Sequence, residues 1–287
     1  MDLTQLRMFC LVAETGSLVR AAAQLERVPS NLTTRLRQLE QELGTDLFIR
    51  EKQRVRLSPA GYNFLGYAQK ILSLSDEALS LTHNGEPSGL FQLGVVESLL
   101  LTELPPLLAR YHQRYPSVKV HLHTAPCATL IERVNAGELA AALVTGPVNH
   151  PSLHSCPIYA QPLSLVTAQA ITDASTPEQL RQSPLLVFAN GCGYRQHLES
   201  WFRAQGITPA LLVEVPSYSV LLAAVAAGNG AALVPQSVLH ALPAGRNVQP
   251  HSLPPGVAVI DTWLVWRQGA FGPNVEALKK LMIESGA

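Results

Sequence analysis

No apolar run in this chain approaches the ~20 residues that cross a bilayer, and its start is a capped amphipathic pattern, not a charged, apolar, small-residue leader. Membrane spans are therefore not expected, and a cytoplasmic location is. An excess of one charge is also lacking, since 21 Lys/Arg face 21 Asp/Glu, so any charge that names a partner must be local. Cysteine is sparse. Cys10, Cys127, Cys156 and Cys192 show no metal-type spacing, and reduced thiols are the default. His121 and His123 alternate along a strand, and without a third ligand they read as a surface pair. Neither a Ser-centred elbow nor a Walker-type glycine loop occurs, which leaves no basis for an enzyme and none for a cofactor. Gly228-Asn229-Gly230 reads as a helix-ending turn instead. A hydrophobic content of 47% excludes disorder, and 287 residues can fold as more than one core.

What is present is concentrated at the start. Leu6, Phe9, Cys10 and Ala13 recur at helical spacing behind an Asp2-x-x-Gln5 capping pattern, and Gly16 provides a left-handed exit. Ser17 caps a second run in which Leu18, Ala21, Ala22 and Leu25 face inward. After a turn at residues 26–28, Pro29 suits the first position of a third helix and Gly44 its end. That spacing is helix-turn-helix. On the third helix Leu32, Leu36, Leu39 and Leu43 form one stripe, which turns Ser30, Thr34 and Arg37 outward with Asn31 and Gln38 beside them. Hydroxyls, amides and a guanidinium are the groups that read base edges or grip phosphates. Leu47-Phe48-Ile49 and Val55-Arg56-Leu57 read as two strands joined by residues 50–54, a basic wing. Residues 1–58 carry nine Lys/Arg against seven Asp/Glu, a bias of the right sign for DNA.

Ser58-Pro59 opens a further helix that runs to Leu81, with apolar positions at Phe64, Ile71, Leu72, Ala78 and Leu79. Its stripe is broader than the helix could hide by itself, so burial against a second copy is the natural outcome and predicts a dimer presenting two recognition helices, with packing on its own sensor domain as the alternative. Residues 84–89 then read as a hinge. Beyond it strands and helices alternate in an α/β pattern with mostly parallel sheets. Strands are expected at 91–96, 118–124, 140–144, 163–167, 185–188, 211–214, 231–234 and 262–267, and helices at 99–115, 127–136, 194–205, 219–227 and 274–285.

The segments Leu6-Arg7-Met8-Phe9, Gly16-Ser17-Leu18, Arg20-Ala21-Ala22, Ser30-Asn31-Leu32-Thr33, Leu39-Glu40-x-Glu42-Leu43-Gly44 and Leu47-Phe48-x-Arg50 resemble the LysR-type transcriptional regulators, and the likeness continues to the C-terminus. The resemblance implies an all-α winged helix-turn-helix, a long dimerising linker helix, and a two-lobed α/β, periplasmic-binding-protein-like domain that senses a small molecule. The expected domains are a DNA-binding head at 1–58, a linker helix and hinge at 59–88, and an effector domain at 89–287. Its lobes would be 89–162 with 267–287, and 163–266. By resemblance Ser30, Asn31, Thr33, Thr34 and Arg37 lie on the recognition helix and Arg50 on the wing edge, with Arg20, Lys52 and Arg54 completing the expected DNA contacts. Many members carry Gln where this chain has Pro29, so that amide contact is unavailable here. They also often carry Asp where this chain has Ala140.

Ligands in such sheets sit beyond the carboxyl ends of the strands. Those ends supply Glu97, Ser98 and Leu99, then Cys127, Thr145, the loop with Asn190, Gly191, Cys192 and Arg195, and finally Ser217 and Tyr218. Arg195 could fork onto a carboxylate and Glu97 pair with an amine, which implies an amine- or carboxylate-bearing effector, and each could equally pair inside the protein instead. The expected partners are promoter DNA, that effector, and further copies of the chain as a homodimer or homotetramer. Two other readings stay open at this point. Cys192, at a helix N-terminus with Cys127 in a neighbouring loop, would make a redox-sensing regulator if acidified. A stand-alone solute-binding protein would explain the rear two thirds but not the basic head.

Overall fold

Asp2 starts α1 (Leu3–Thr15) with a reciprocal capping box: its Oδ1 accepts the Gln5 N–H at 2.7 Å, while its own N–H donates to Gln5 Oε1 at 2.9 Å. The computed structural model describes residues 1–51, 54–81, 85–171, 173–174 and 176–284. Gly16 ends α1 at φ 61°, Ser17 caps α2 (Leu18–Gln24), and Pro29 opens α3 (Pro29–Leu43), which Gly44 closes at φ 68°. Strands β1 (Phe48–Glu51) and β2 (Arg54–Leu57) pair antiparallel. Ser58 then starts α4 (Pro59–Leu81) by accepting the Gly61 N–H at 2.9 Å. A Cβ on Gly61 would stand 2.1 Å from the Leu47 carbonyl oxygen, so glycine is what lets α4 lie on the chain entering β1. Leu6, Phe9, Leu32, Leu36 and Leu39 close a core with Phe48, and α4 adds Phe64 and Ala68 to it. The Phe9 ring lies 5.3 Å from both Phe48 and Phe64. Gln53 of the wing, Asn84 of the expected hinge and Ser285 of the last expected helix lie outside the described residues, as does the side chain of Leu79.

A second compact unit begins after residue 82. Its first lobe is built from β3 (Gly89–Val95), α5 (Glu97–Leu101), α6 (Leu104–Arg114), β4 (Val118–His123), α7 (Cys127–Asn135) and β5 (Ala141–Thr145). The long β6 (Leu153–Ala168) leads into the second lobe, which holds β7 (Leu185–Val187), α8 (Gly193–Ala204), β8 (Leu212–Glu214), α9 (Tyr218–Ala226), β9 (Ala232–Pro235), α10 (Gln236–Ala241) and β10 (Val248–His251). The chain returns through β11 (Val259–Arg267) and ends its described part in α11 (Pro273–Glu284). Strands run in the order β10-β6-β11-β5-β3-β4, with β9 also on β6, while β7 and β8 form a separate pair. The first lobe buries Phe91, Leu93, Tyr111, Leu130, Leu264 and Leu278. The second has two clusters, one around Leu165, Leu185 and Phe202, the other around Val166, Leu222 and Val234.

Three features depart from the sequence expectation. The large sheet is mixed: β3 is parallel to β4 and β5, but the crossover strands β6 and β11 run antiparallel to each other. A chain that goes out on one crossover and returns on the other imposes that direction. The helix expected at 99–115 is two helices broken at Thr102 and Glu103, because Pro105 and Pro106 belong to the first turn of a new helix and cannot sit inside an old one. Strand β6 begins ten residues before the expected 163, and β10 and α10 are additional elements. Among the described residues no helix is long and apolar enough to cross a membrane.

Candidate functional site

The outward face of α3 follows from its leucine stripe. Leu32, Leu36 and Leu39 are buried while Ser30, Asn31, Thr34, Arg37 and Gln38 are exposed, with Thr33 half-buried. Thr33 and Thr34 donate their hydroxyl protons to the carbonyls of Pro29 and Ser30, each at 3.0 Å, which leaves their lone pairs free to accept from base amino groups. The cap residue Val28 gives no side-chain hydrogen bond, so the first-turn amides of α3 keep their attraction for a phosphate. Glu40 fixes the wing to this helix by accepting the N–H groups of Leu47 at 2.9 Å and Phe48 at 3.2 Å. In the wing, Arg50 stands opposite Val55 and Arg54 opposite Glu51 in backbone register, and Lys52 lies outside the described residues. Arg20 donates to the Thr15 carbonyl and helps close the turn between α1 and α2. Arg27, exposed in the turn before α3, is a cation that helical periodicity passes over because it belongs to no stripe.

In the second unit the strand-end loops converge. Tyr194, only 4% exposed, has one phenolic proton and donates it to Gln161 Oε1, so Ser98 Oγ donates to Tyr194 Oη at 2.9 Å. Cys127 Sγ lies 3.4 Å from Thr145 Oγ1, and the Ala128 N–H donates to the Gly191 carbonyl at 3.2 Å. A Cβ on Gly193 would meet the Thr145 carbonyl oxygen at 2.4 Å, so the start of α8 presses directly on the end of β5. Burial raises the Glu97 carboxyl above the usual range, partly opposed by the Tyr218 N–H at the start of α9. The Tyr218 hydroxyl is fully buried near Ser98 and Tyr194 yet closes no hydrogen bond of normal geometry. Leu99, 1% exposed, belongs to the first-lobe core behind this constellation.

Other expected contacts stand differently. Arg195 is engaged by Glu199 at 2.8 Å, Glu214 at 3.3 Å and the Phe188 carbonyl at 3.0 Å. Asn190 is exposed, and Ser217 caps α9 by accepting the Val220 N–H at 3.4 Å. The Cys192 thiol is not acidified. Burial pushes it up to about 11 and outweighs the backbone N–H groups and the Arg195 charge that act the other way. Among the described residues no group of three or more His, Cys, Asp or Glu could hold a metal, and His123 is taken up by Gln92 at 2.6 Å. Gln161 and Tyr194 are the hub that periodicity missed. Gln161 stands in the part of β6 that leads into Leu163-Ser164-Leu165-Val166, where an amide is the visible exception.

Comparison with known families decides between a regulator and a stand-alone solute-binding protein. A family described as "Bacterial regulatory helix-turn-helix protein, lysR family" matches residues 3–62, and "LysR substrate binding domain" matches residues 84–287. The chain belongs to the LysR family of transcriptional regulators. The regulator is 37% identical over 275 residues to the HTH-type transcriptional regulator CzcR of Bacillus thuringiensis subsp. konkukian, covering 96% of this chain and 94% of that one. It is 35% identical over 272 residues to the uncharacterised HTH-type transcriptional regulator YusT of Bacillus subtilis, covering 94% and 91%. In fold it resembles full-length CbnR complexed with its target DNA, at a TM-score of 0.71 and 23% identity over the full length of both chains. The head thus has a family explanation that a solute-binding protein lacks. The chain is a DNA-binding transcriptional regulator with an effector-binding domain.

Proposed function

We propose that the regulator reads a promoter in the cytoplasm through Ser30, Asn31, Thr33, Thr34 and Arg37 in the major groove, with Arg20 and the wing residues Arg50, Lys52 and Arg54 on phosphates. The observation that carries this is the exposure of Ser30, Asn31, Thr34 and Arg37 together on a helix whose opposite face is fully closed by leucine. Two heads act together in a homodimer or homotetramer joined through α4, on which Tyr62, Tyr67 and Leu74 are 68%, 66% and 50% exposed. The working division is a head at 1–58, a linker at 59–88 and a sensor from 89 onward. Fluorescence anisotropy on a promoter fragment tests the head: Arg37→Ala should weaken specific binding by roughly tenfold or more, as loss of a base or phosphate contact does. Unchanged affinity and unchanged salt dependence would remove α3 from the interface.

The effector is a small amine-bearing metabolite held where Glu97, Ser98, Thr145, Tyr194 and Tyr218 converge between the lobes, since Arg195, the group that would have held a carboxylate, is taken up by Glu199 and Glu214. The unpartnered Tyr218 hydroxyl supports this reading, because a buried polar group without a partner destabilises the empty site and favours a ligand that supplies one. Binding shifts the population between lobe arrangements and so between DNA-bound states. Calorimetry with candidate metabolites on the wild type and on Glu97→Gln and Ser98→Ala tests it. Equal affinity for all three proteins would place the effector elsewhere.

A further inference from the structure

The entrance to α3 carries a pair of apolar side chains that the fold does not use. Val28, 63% exposed, holds the N-cap position with φ −84° and ψ 143°, and Pro29 beside it is exposed as well. A single surface valine is ordinary. At an N-cap it is not, because Ser, Thr, Asp or Asn there would accept a first-turn N–H, and valine makes no such bond. Pro29 has no N–H to offer, so the helix opens with two hydrocarbon side chains and no capping hydroxyl. Their position is fixed: the Arg27 N–H donates to the Ala22 carbonyl at 2.9 Å and the Glu26 N–H to the Ala23 carbonyl at 3.2 Å, which ties the turn back onto α2. Val28 and Pro29 run directly into Ser30 and Asn31, the start of the exposed polar edge.

We infer that Val28 and Pro29 are specificity determinants that pack on the C5 methyl of a thymine in each half-site, an assignment that rests on the placement of α3 in the major groove proposed for the regulator. In that groove the thymine methyl is the one methyl group that the base pairs display, and what surrounds it is hydrogen-bond donors and acceptors. Two hydrocarbon side chains gain nothing from those polar atoms and would strip water from them unpaired, so the methyl is the feature they complement. The proline ring, already fixed in φ, loses little freedom on docking. Valine at this position weakens the helix start and is of use only on DNA, so stability and recognition oppose each other there: a better cap is a worse reader.

Fluorescence anisotropy on the full-length protein tests the assignment. The probe is the stretch of DNA flanking its own gene that the protein protects from cleavage, synthesised once with thymidine and once with deoxyuridine at the half-site thymines, which removes the methyl and keeps the pairing. The wild type should bind the deoxyuridine duplex about fourfold more weakly per contacted methyl, the effect of leaving one methyl-sized group unburied. Val28→Ser should melt at a higher temperature than the wild type yet bind the thymidine duplex more weakly, and together with Pro29→Ser it should abolish the preference between the duplexes. Arg37→Ala, assayed alongside, reports on the groove itself. If it weakens both duplexes while the wild type binds them equally, or while the double variant keeps the preference, the methyl contact is overturned and the placement of α3 stands. A Val28→Ser protein that melts lower would also overturn it, because its weaker binding would then follow from the fold. If Arg37→Ala changes neither duplex, or no stretch is protected, the placement of α3 falls and the methyl contact with it.

Discussion

The head and the sensor use polar residues in opposite ways. On α3 they stand outside a closed apolar core and satisfy few partners of their own, whereas in the sensor Ser98, Tyr194 and Gln161 turn inward and join in one hydrogen-bonded chain, beside which the Tyr218 hydroxyl and the Gln161 Nε2 stay unpartnered. A surface meant for a duplex must stay solvated until the duplex arrives. A pocket between lobes must instead hold its polar groups in place without ligand, because each one left bare inside costs roughly 1–3 kcal/mol. The head should therefore tolerate changes to its functional face and fail through its core, while the sensor should lose stability when its functional residues are changed.

The largest effect sharpens that contrast from the head side. Phe9→Ala empties the meeting point of Phe48 and Phe64 and should destabilise the head by about 3–5 kcal/mol. Calorimetry should show the head transition lowered, while Ser30→Ala or Thr34→Ala leaves it in place. From the sensor side, Gly193→Ala drives a methyl into the Thr145 carbonyl and should destabilise by about 1–3 kcal/mol. Tyr194→Phe should follow at roughly 1–3 kcal/mol, since it strands both Ser98 and Gln161, and chemical denaturation would read it. A wild-type-like midpoint for Tyr194→Phe would break the comparison.

Titration provides a smaller test with a definite sign. Burial raises both Glu97 and Glu103, so the folded sensor holds their protons more tightly than the unfolded chain. Their stabilising contribution is full below the ordinary glutamate range near ~4.3 and is lost as pH rises through the raised values. The Glu97→Gln, Glu103→Gln double variant should gain stability relative to wild type over that rise, and a constant difference across pH would contradict the assignment. Smallest of all, Glu26 sits at φ 52° in the turn before α3, and Glu26→Gly should relieve the left-handed strain and stabilise the head by up to about 1 kcal/mol.

The same contrast explains what the amino-acid order revealed. Asp2, Gly16, Ser17, Pro29, Gly44 and Ser58 act on their own neighbours, and each sits at the boundary its chemistry implies. The convergence of Glu97, Ser98, Thr145 and Tyr218 was legible only as far as strand ends must share one side of a sheet. Arg195 was not, because Glu199 lies one helical turn away and Glu214 is brought in by β8, and no spacing says which partner wins. Half of β6 was obscured by Pro157 and Pro162, which discourage a strand reading even though β11 pairs alongside and the register shifts there. Gln161 and Glu103 are distant in sequence, so the cavity that both line exists only after the crossover and α10 are folded.

A surface for duplex DNA on the first helices is what joins the closed leucine core of the head to its exposed polar edge. Footprinting of the purified full-length protein on the DNA flanking its own gene, at low and at raised ionic strength, tests it most directly. Protection of two half-sites separated by whole helical turns is expected, weakening steeply with salt and lost in Arg37→Ala. No protection at low ionic strength would contradict it.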